Sequence, residues 1–296
     1  MNADSPVKNR ASLTAEYMAL FRALESSRCA SSRLFKDPFA AIFLHQWRRW
    51  LYGIARFDLG RRLVERLLDR AAPGARAAGI ARTKWIDDEV AAALETAAQL
   101  VLLGAGFDTR AYRLTSAARA TTFELDRPET SVAKQAALKK ATGSLPEQVR
   151  FVSIDFNSQS VAEVLTQAGF DPARPACFIW EGVTNYLTAE AVDNALREIR
   201  QTAPECILLF TYIDRGVLEQ PERFLGAAKL MARLQSYGEP WTFGICPEEL
   251  DGYLAARGFR LITDLSVADV WQRAGRSTSG TRGYEFYQLA SARMPC

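Results

Sequence analysis

Four acidic residues stand where four apolar runs give out, and their spacing is that of a ligand-binding edge. Val101-Leu102-Leu103 leads into Gly104-Ala105-Gly106 and then Asp108; Glu124-Leu125-Asp126 ends the next run, Asp155-Phe156 the third and Glu181-Gly182 the fourth. Glycine has no Cβ and tolerates positive φ, so the backbone at Gly104 and Gly106 can approach a ligand closely. Asp126, 20 positions after Gly106, is placed to accept hydrogen bonds from a ribose diol, or else to cap a helix opened by Pro128. Asp155 can take the amino group of an adenine whose ring packs on Phe156, or simply cap its strand.

The charges of these residues discriminate between ligands. A dinucleotide-binding G-x-G-x-x-G needs a third glycine where Thr109 stands. A pyrophosphate also requires a positive helix N-terminus, where Asp108 puts a carboxylate. S-adenosyl-L-methionine fits better: it brings a sulfonium, an α-amino group and an adenosine, and no phosphate. An NAD(P)-dependent Rossmann oxidoreductase is the competing reading, and a module that binds the cofactor without turnover is a third.

The elements that position these residues follow from periodicity. Residues 12–98 read as helices, in segments such as "TAEYMALFRALESS", "RRLVERLLDRA" and "ARTKWIDDEVAAALETA". Then "QLVLLGA", "TTFELD", "RFVSID", "ACFIWEG" and "CILLFTYI" follow as short apolar runs parted by helical or turn-rich segments. That alternation predicts an α/β protein with a parallel sheet covered on both faces, its ligand outside the carboxyl ends of the strands. Pro128 and Gly143 bracket one helix; Thr188 opens another, which Pro204 stops. Residues 216–245 form an amphipathic insertion containing Phe224, Leu230, Met231 and Trp241. After "CPEELDGYLAARG", the strands "FRLITDLS" and "YEFYQLAS" are expected to pair as an antiparallel hairpin across "GRSTSGTRG". One domain is expected: a helical cap (12–98), a cofactor-binding core (99–215), a lid insertion (216–245) and a C-terminal helix and strand pair (246–296).

Composition narrows the partners. In 296 residues, Lys and Arg number 37 against 34 Asp and Glu, and a net charge of +3 gives no electrostatic case for nucleic acid. The basic runs "HQWRRW" and "GRRLVER" read as solvated helix faces. Cys29, Cys177, Cys206, Cys246 and Cys296 form no C-x-x-C pair, and His45 is the sole histidine, so neither a metal site nor a disulfide framework is expected. Cys177 and Cys206 begin neighbouring strands and Cys246 opens a helix, positions that suit small packing residues. "MNADSPVKNR" lacks the apolar core of a signal peptide, and no run of about 18 apolar residues appears. A cytoplasmic protein without a membrane partner is expected, its oligomeric state open.

Taken together, "LLGAGFDTRAYRL", "FELDRPE", "VSIDF" and "IWEGVTNYL", preceded by "ARTKWID", resemble the leucine carboxyl methyltransferase superfamily over about residues 12–265. The likeness is closest to its bacterial branch of O-methyltransferases of polyketide and other secondary metabolism. The resemblance implies a class I methyltransferase, Rossmann-like, with seven strands, mostly parallel, and an antiparallel last strand. It implies transfer of a methyl group from S-adenosyl-L-methionine to a carboxylate or hydroxyl oxygen of a small-molecule acceptor. Arg82 would pair with the cofactor carboxylate; Gly104, Ala105, Gly106 and Asp108 would surround its methionine part, with Glu181 near the amino acid end. Asp126 would meet the ribose, and Asp155 and Phe156 the adenine. Members that methylate a phosphatase tail carry an arginine where Asn157 stands, and a lysine near "SLTAEYMALF" that is missing here, which argues against that substrate. Tyr17, Tyr186, Tyr212, Phe224 and Trp241 are candidate acceptor contacts. A carboxylate or phenolate acceptor needs no strong base, so His45 is not expected to be catalytic.

This cofactor choice predicts thermal stabilisation by S-adenosylhomocysteine, worth about 2.7 kcal/mol at about 100 times its Kd, and none by NADPH. Stabilisation by NADPH alone would overturn it.

Overall fold

The computed structural model describes residues 13–156, 158–203 and 205–294, so Asn157, Pro204 and Cys296 lie outside the described residues. Four helices come first: α1 (Leu13–Ser26), α2 (Gln46–Ala55), α3 (Asp58–Ala71) and α4 (Ala75–Ala93). Strands and helices then alternate: β1 (Gln99–Leu103), α5 (Arg110–Arg113), β2 (Thr121–Asp126), α6 (Pro128–Thr142), β3 (Val149–Ser153), α7 (Val161–Gln167), β4 (Ala176–Trp180), α8 (Ala189–Thr202) and β5 (Cys206–Ile213). The short α9 (Gly216–Glu219), α10 (Ala227–Ser236) and α11 (Leu250–Ala255) lead to β6 (Arg260–Ser266), α12 (Val267–Arg273) and β7 (Tyr287–Arg293).

The seven strands form one sheet in the order β3-β2-β1-β4-β5-β7-β6. β1 pairs in parallel with both β2 and β4, so the strand order reverses there and opens a crevice at the carboxyl ends of β1 and β4. Every residue of β1 and of β4 is buried, as befits strands covered on both faces. One face is covered by α7, α8 and α11, through residues such as Leu165, Leu196 and Leu254. The other is covered by α4 and α12, through Ile80, Ile86, Val90 and Trp271. Thus α4, grouped by sequence with the cap, packs on the sheet, because its apolar residues surround the helix instead of lining one stripe. The remaining N-terminal helices form a smaller core with Leu20, Leu24, Phe43 and Val64, joined to the sheet by Phe43 stacked on Phe107 at 4.6 Å.

Local signals act as the sequence predicts at α6, with Pro128 in its first turn and Gly143 at its C-cap at φ +84°, and at α8, where Thr188 accepts from the Ala191 N–H. The final strand pair differs. β6 and β7 are antiparallel, but β7 inserts between β5 and β6 and is antiparallel to both. The connection is no simple hairpin loop, because Ser266 and Asp269 form a reciprocal capping box that starts α12 directly after β6. Cys177 and Cys206 are buried at the starts of the adjacent β4 and β5.

One ion pair fastens α6 to the sheet. The Lys134 ammonium lies 2.7 Å from Glu124 Oε2 with both side chains at most 2% exposed, and the Tyr112 hydroxyl donates to the other carboxylate oxygen at 3.0 Å. Lys134→Met leaves that carboxylate buried and unpaired, and chemical denaturation should show a loss of about 3–5 kcal/mol. Removing both charges in Glu124→Gln/Lys134→Met should cost less than the single change.

Candidate functional site

After β1 the chain turns through Gly104 at φ +71° and Gly106 at φ +47°. A Cβ on Gly104 would come within 2.5 Å of the Val183 side chain, so this turn lies against the segment after β4 with no room to spare. Between them opens a cleft of about 510 Å³. Arg82, Gly104, Ala105, Gly106 and Asp108 line it, as do Asp126, Asp155, Phe156 and Glu181, so the expected cofactor residues converge on one cavity.

The turn consumes its own donors. Leu125 O accepts from Gly104 and Ala105 N–H at 2.9 and 3.0 Å, Ala105 O accepts from Asp108 N–H at 2.8 Å, and the Asp126 carboxylate accepts from Gly106 N–H. These N–H groups are therefore unavailable to cradle a phosphate. Asp126 also accepts from Arg127 N–H at 2.7 Å and does not cap α6, whose N-cap is Arg127. Burial pushes the Asp126 carboxyl up, with the Gly106 and Arg127 N–H groups opposing. Asp155 accepts from the Ser158 hydroxyl at 3.1 Å.

Asp108 corrects one expectation, since its charge is not left open toward a ligand. It accepts from Arg110 N–H at 2.7 Å and is ion-paired with the Arg110 guanidinium, because a buried carboxylate needs a partner. Burial opposes ionisation of Asp108, and Arg110 outweighs it, holding the carboxyl at about 2. Arg110 also donates to Asp87 at 2.8 Å and to Glu181 at 2.5 Å. Arg113 grips both Asp87 oxygens at 2.6 Å, and its Nε lies 3.8 Å from Asp37, which Arg22 pairs at 2.8 Å. Arg82 Nε lies 2.5 Å from Glu181, and its Nη1 donates to the Tyr287 hydroxyl at 2.8 Å. Four arginines thus face four acids. Asp37, Asp87, Arg22, Arg110 and Arg113 were not among the residues expected at the site; Arg110 and Arg113, three apart on one face, were the available signal.

The other end of the cleft is apolar and aromatic. Met18, Tyr186, Leu187, Trp241 and Tyr284 line it, and the Thr14 hydroxyl donates to Glu239 at 2.7 Å, joining α1 to the segment after α10. Burial pushes the Tyr186 hydroxyl up to about 12. Asn185 and Tyr287, which the sequence did not single out, also line the cavity. Three candidates do not. Tyr17 lies beneath Arg48 at 4.4 Å, and Phe224 packs edge-on against Phe286 at 5.5 Å. Tyr212 donates to Asp264 at 2.9–3.0 Å; strand alternation turns it away while the neighbouring Thr211 accepts from Gly182 N–H at 2.8 Å. Among the described residues no cluster of His, Cys, Asp or Glu is arranged to hold a metal.

The sheet order, the reversed β7 and the cleft at the β1/β4 switch define the class I methyltransferase fold. The leucine carboxyl methyltransferase family model matches residues 15–200, and the chain belongs to that family. A Mycobacteroides abscessus protein described as an S-adenosyl-L-methionine-dependent methyltransferase is 34% identical over 221 residues, covering 71% of this chain and 68% of that protein. A Frankia alni protein described in the same way is 29% identical over 282 residues, 90% of each chain. A solved structure described as a methyltransferase from Thermobifida fusca superposes with a TM-score of 0.61 at 17% identity, covering 99% of this chain and all of its own. The chain is an S-adenosyl-L-methionine-dependent methyltransferase.

Asp126 presents the clearest test of the site. Asp126→Ala removes a charged acceptor worth about 1.5–3 kcal/mol, so titration calorimetry should show affinity for S-adenosylhomocysteine falling about tenfold to a hundredfold. Unchanged affinity would return Asp126 to a purely structural role in the turn.

Proposed function

We propose that the protein methylates an oxygen, carboxylate or hydroxyl, of an apolar or aromatic small molecule, as the bacterial polyketide-type branch of the family does. The observation that carries this reading is one cleft with an acid-tipped polar end and an aromatic end. When bound, S-adenosyl-L-methionine supplies an electrophilic methyl group on a sulfonium. The polar end fits it: Asp126 accepts from the ribose hydroxyls, Asp155 and Phe156 receive the adenine, and the Gly104–Gly106 turn lies along the methionine part. Arg82, its guanidinium fixed by Glu181 and Tyr287, holds the carboxylate, and Glu181 faces the ammonium.

The remaining residues position the nucleophile. In-line displacement requires an acceptor oxygen about 3 Å from the methyl carbon on the side opposite sulfur. Tyr186, whose hydroxyl burial pushes up to about 12 and so keeps protonated at neutral pH, can donate a hydrogen bond that orients the acceptor but cannot take its proton. An acceptor already ionised needs no base, and for a hydroxyl the carboxylate lining this end of the cleft is Glu239. Trp241 and Leu187 supply an apolar wall that excludes water. His45 is exposed, beside Glu16 at 3.3 Å, and does not line the cavity.

Incubation of a metabolite extract with labelled methyl donor is expected to yield a labelled ester or ether, and label on nitrogen or on no product would overturn the proposal. On the acceptor so found, Trp241→Ala and Tyr186→Phe should each lower kcat/KM about tenfold, or about 1.4 kcal/mol, with S-adenosylhomocysteine affinity unchanged. Phe224→Ala, which lies off the cleft, should lower stability instead, and His45→Gln should retain most activity.

A further inference from the structure

The helical pair α2–α3 carries a surface that nothing in the methyl-transfer site uses. Ten large hydrophobic side chains are exposed among the described residues, and six of them, Trp47, Trp50, Phe57, Leu59, Leu63 and Leu67, belong to this pair and its turn. Trp50 is 67% exposed, Phe57 75% and Leu59 82%. Leu59, Leu63 and Leu67 repeat every four residues and so form one stripe on α3, while Arg62, Arg66 and Arg70 form a second, parallel stripe beside it. Arg49 and Arg56 are exposed on and after α2. None of these five arginines is ion-paired among the described residues, whereas the acids of α3, Asp58, Glu65 and Asp69, are engaged by Arg61, Arg28 and Arg76. The runs "HQWRRW" and "GRRLVER", expected to be solvated helix faces, thus set exposed arginines beside exposed apolar side chains.

We infer that the α2–α3 face docks on an anionic lipid surface. Exposed Trp, Phe and Leu beside unpaired arginines are the two elements of an interfacial helix: apolar side chains that enter the headgroup boundary and cations that attract acidic lipid. A second copy of the chain fits poorly, since a symmetric contact would set five unpaired arginines against five more with no free acid opposite them. The first twelve residues, "MNADSPVKNRAS", also fit poorly, because they add Lys8 and Arg10 and offer only Met1 and Val7 as large apolar side chains. Among the described residues no helix is long and apolar enough to cross a membrane, so the contact proposed for this face is one of surface and not of span. Its position matters for the cleft. Trp47 meets Tyr17 edge-on at 6.5 Å, and Arg48 pairs Glu16 at 2.7 Å, which places the docking face next to the stretch of α1 whose Thr14, Ala15 and Met18 line the cavity.

The test is co-sedimentation of the full chain with vesicles of phosphatidylcholine alone or mixed with phosphatidylglycerol, at low and high salt. Partitioning is expected to be at least about tenfold stronger onto the phosphatidylglycerol vesicles and to weaken with salt. Trp50→Ser/Leu59→Ser and Arg62→Gln/Arg66→Gln should each lower it by about tenfold, with thermal stabilisation by S-adenosylhomocysteine retained. Absence of the chain from the anionic pellet, or undiminished binding by both variants, overturns the inference. A lipid-indifferent dimer that Trp50→Ser/Leu59→Ser converts to monomer overturns it as well and assigns the face to a second copy. Vesicle binding is read without turnover, so its outcome is independent of the acceptor.

Discussion

The Arg110 guanidinium, with its side chain 3% exposed, is the constraint to which the rest of the site answers. A buried cation is tolerated only when its donors are met, and those of Arg110 reach Asp87 on α4, Asp108 after β1 and Glu181 after β4. Three separate parts of the chain are thereby held around one atom group. Through Glu181 the network continues to Arg82 and Tyr287, and through Asp87 to Arg113, Asp37 and Arg22 on α1. Parallel strands fix only their own spacing. Beyond the ladder that pairs β1 with β4, the segments that follow the two strands, where ligands bind in such sheets, are tied to each other and to α4 by this charge network.

The network also accounts for the character of the turn after β1. An anion-binding turn leaves backbone N–H groups pointing outward, whereas here Leu125 O, Ala105 O and the Asp126 carboxylate have taken them. Asp108, which could have repelled a phosphate by its charge, is neutralised by Arg110, so the bias against phosphate comes from donors already spent more than from a free negative charge. The inference from sequence reached the right cofactor class partly for a different reason than the structure provides.

Strand ends were legible because their signals are local. Apolar runs closed by Gly-Ala-Gly, Leu-Asp, Asp-Phe and Glu-Gly mark the carboxyl edge of a parallel sheet, and the nine residues expected from them and from the family likeness to meet the cofactor line one cleft. Acceptor residues were less legible, since an aromatic at helical or strand spacing has the same appearance whether it faces a core or a cavity. Tyr212 and Thr211 are neighbours on β5, yet pleating sends one to Asp264 and the other to Gly182. Likewise Trp241 lines the cleft while Phe224 of the same insertion does not; both rings pack on Phe286, and only tertiary contact separates them. The position of β7 was hidden for a similar reason, because strand order is decided by long-range pairing and not by the run that forms the strand.

Stability is distributed unevenly around the cleft, and function can use that gradient. Its floor is held by multiple charged hydrogen bonds at Arg110, Arg113 and Arg82, each stronger than a neutral one and shielded from water. On its opposite side α1 meets the segment after α10 through the Thr14–Glu239 hydrogen bond, which has a carboxylate acceptor and is of a kind worth about 1.5–3 kcal/mol, without the multiple ion pairs that meet at Arg110. Local opening follows the weakest joint, so admission of an acceptor is expected to part α1 from the 237–242 segment while the floor keeps its geometry. A methyltransferase needs this division of labour: the reacting atoms must be held to within fractions of an ångström, and an acceptor must still enter the cavity. α1 belongs to both regions, contributing Arg22 to the charge network and Thr14, Ala15 and Met18 to the cleft wall.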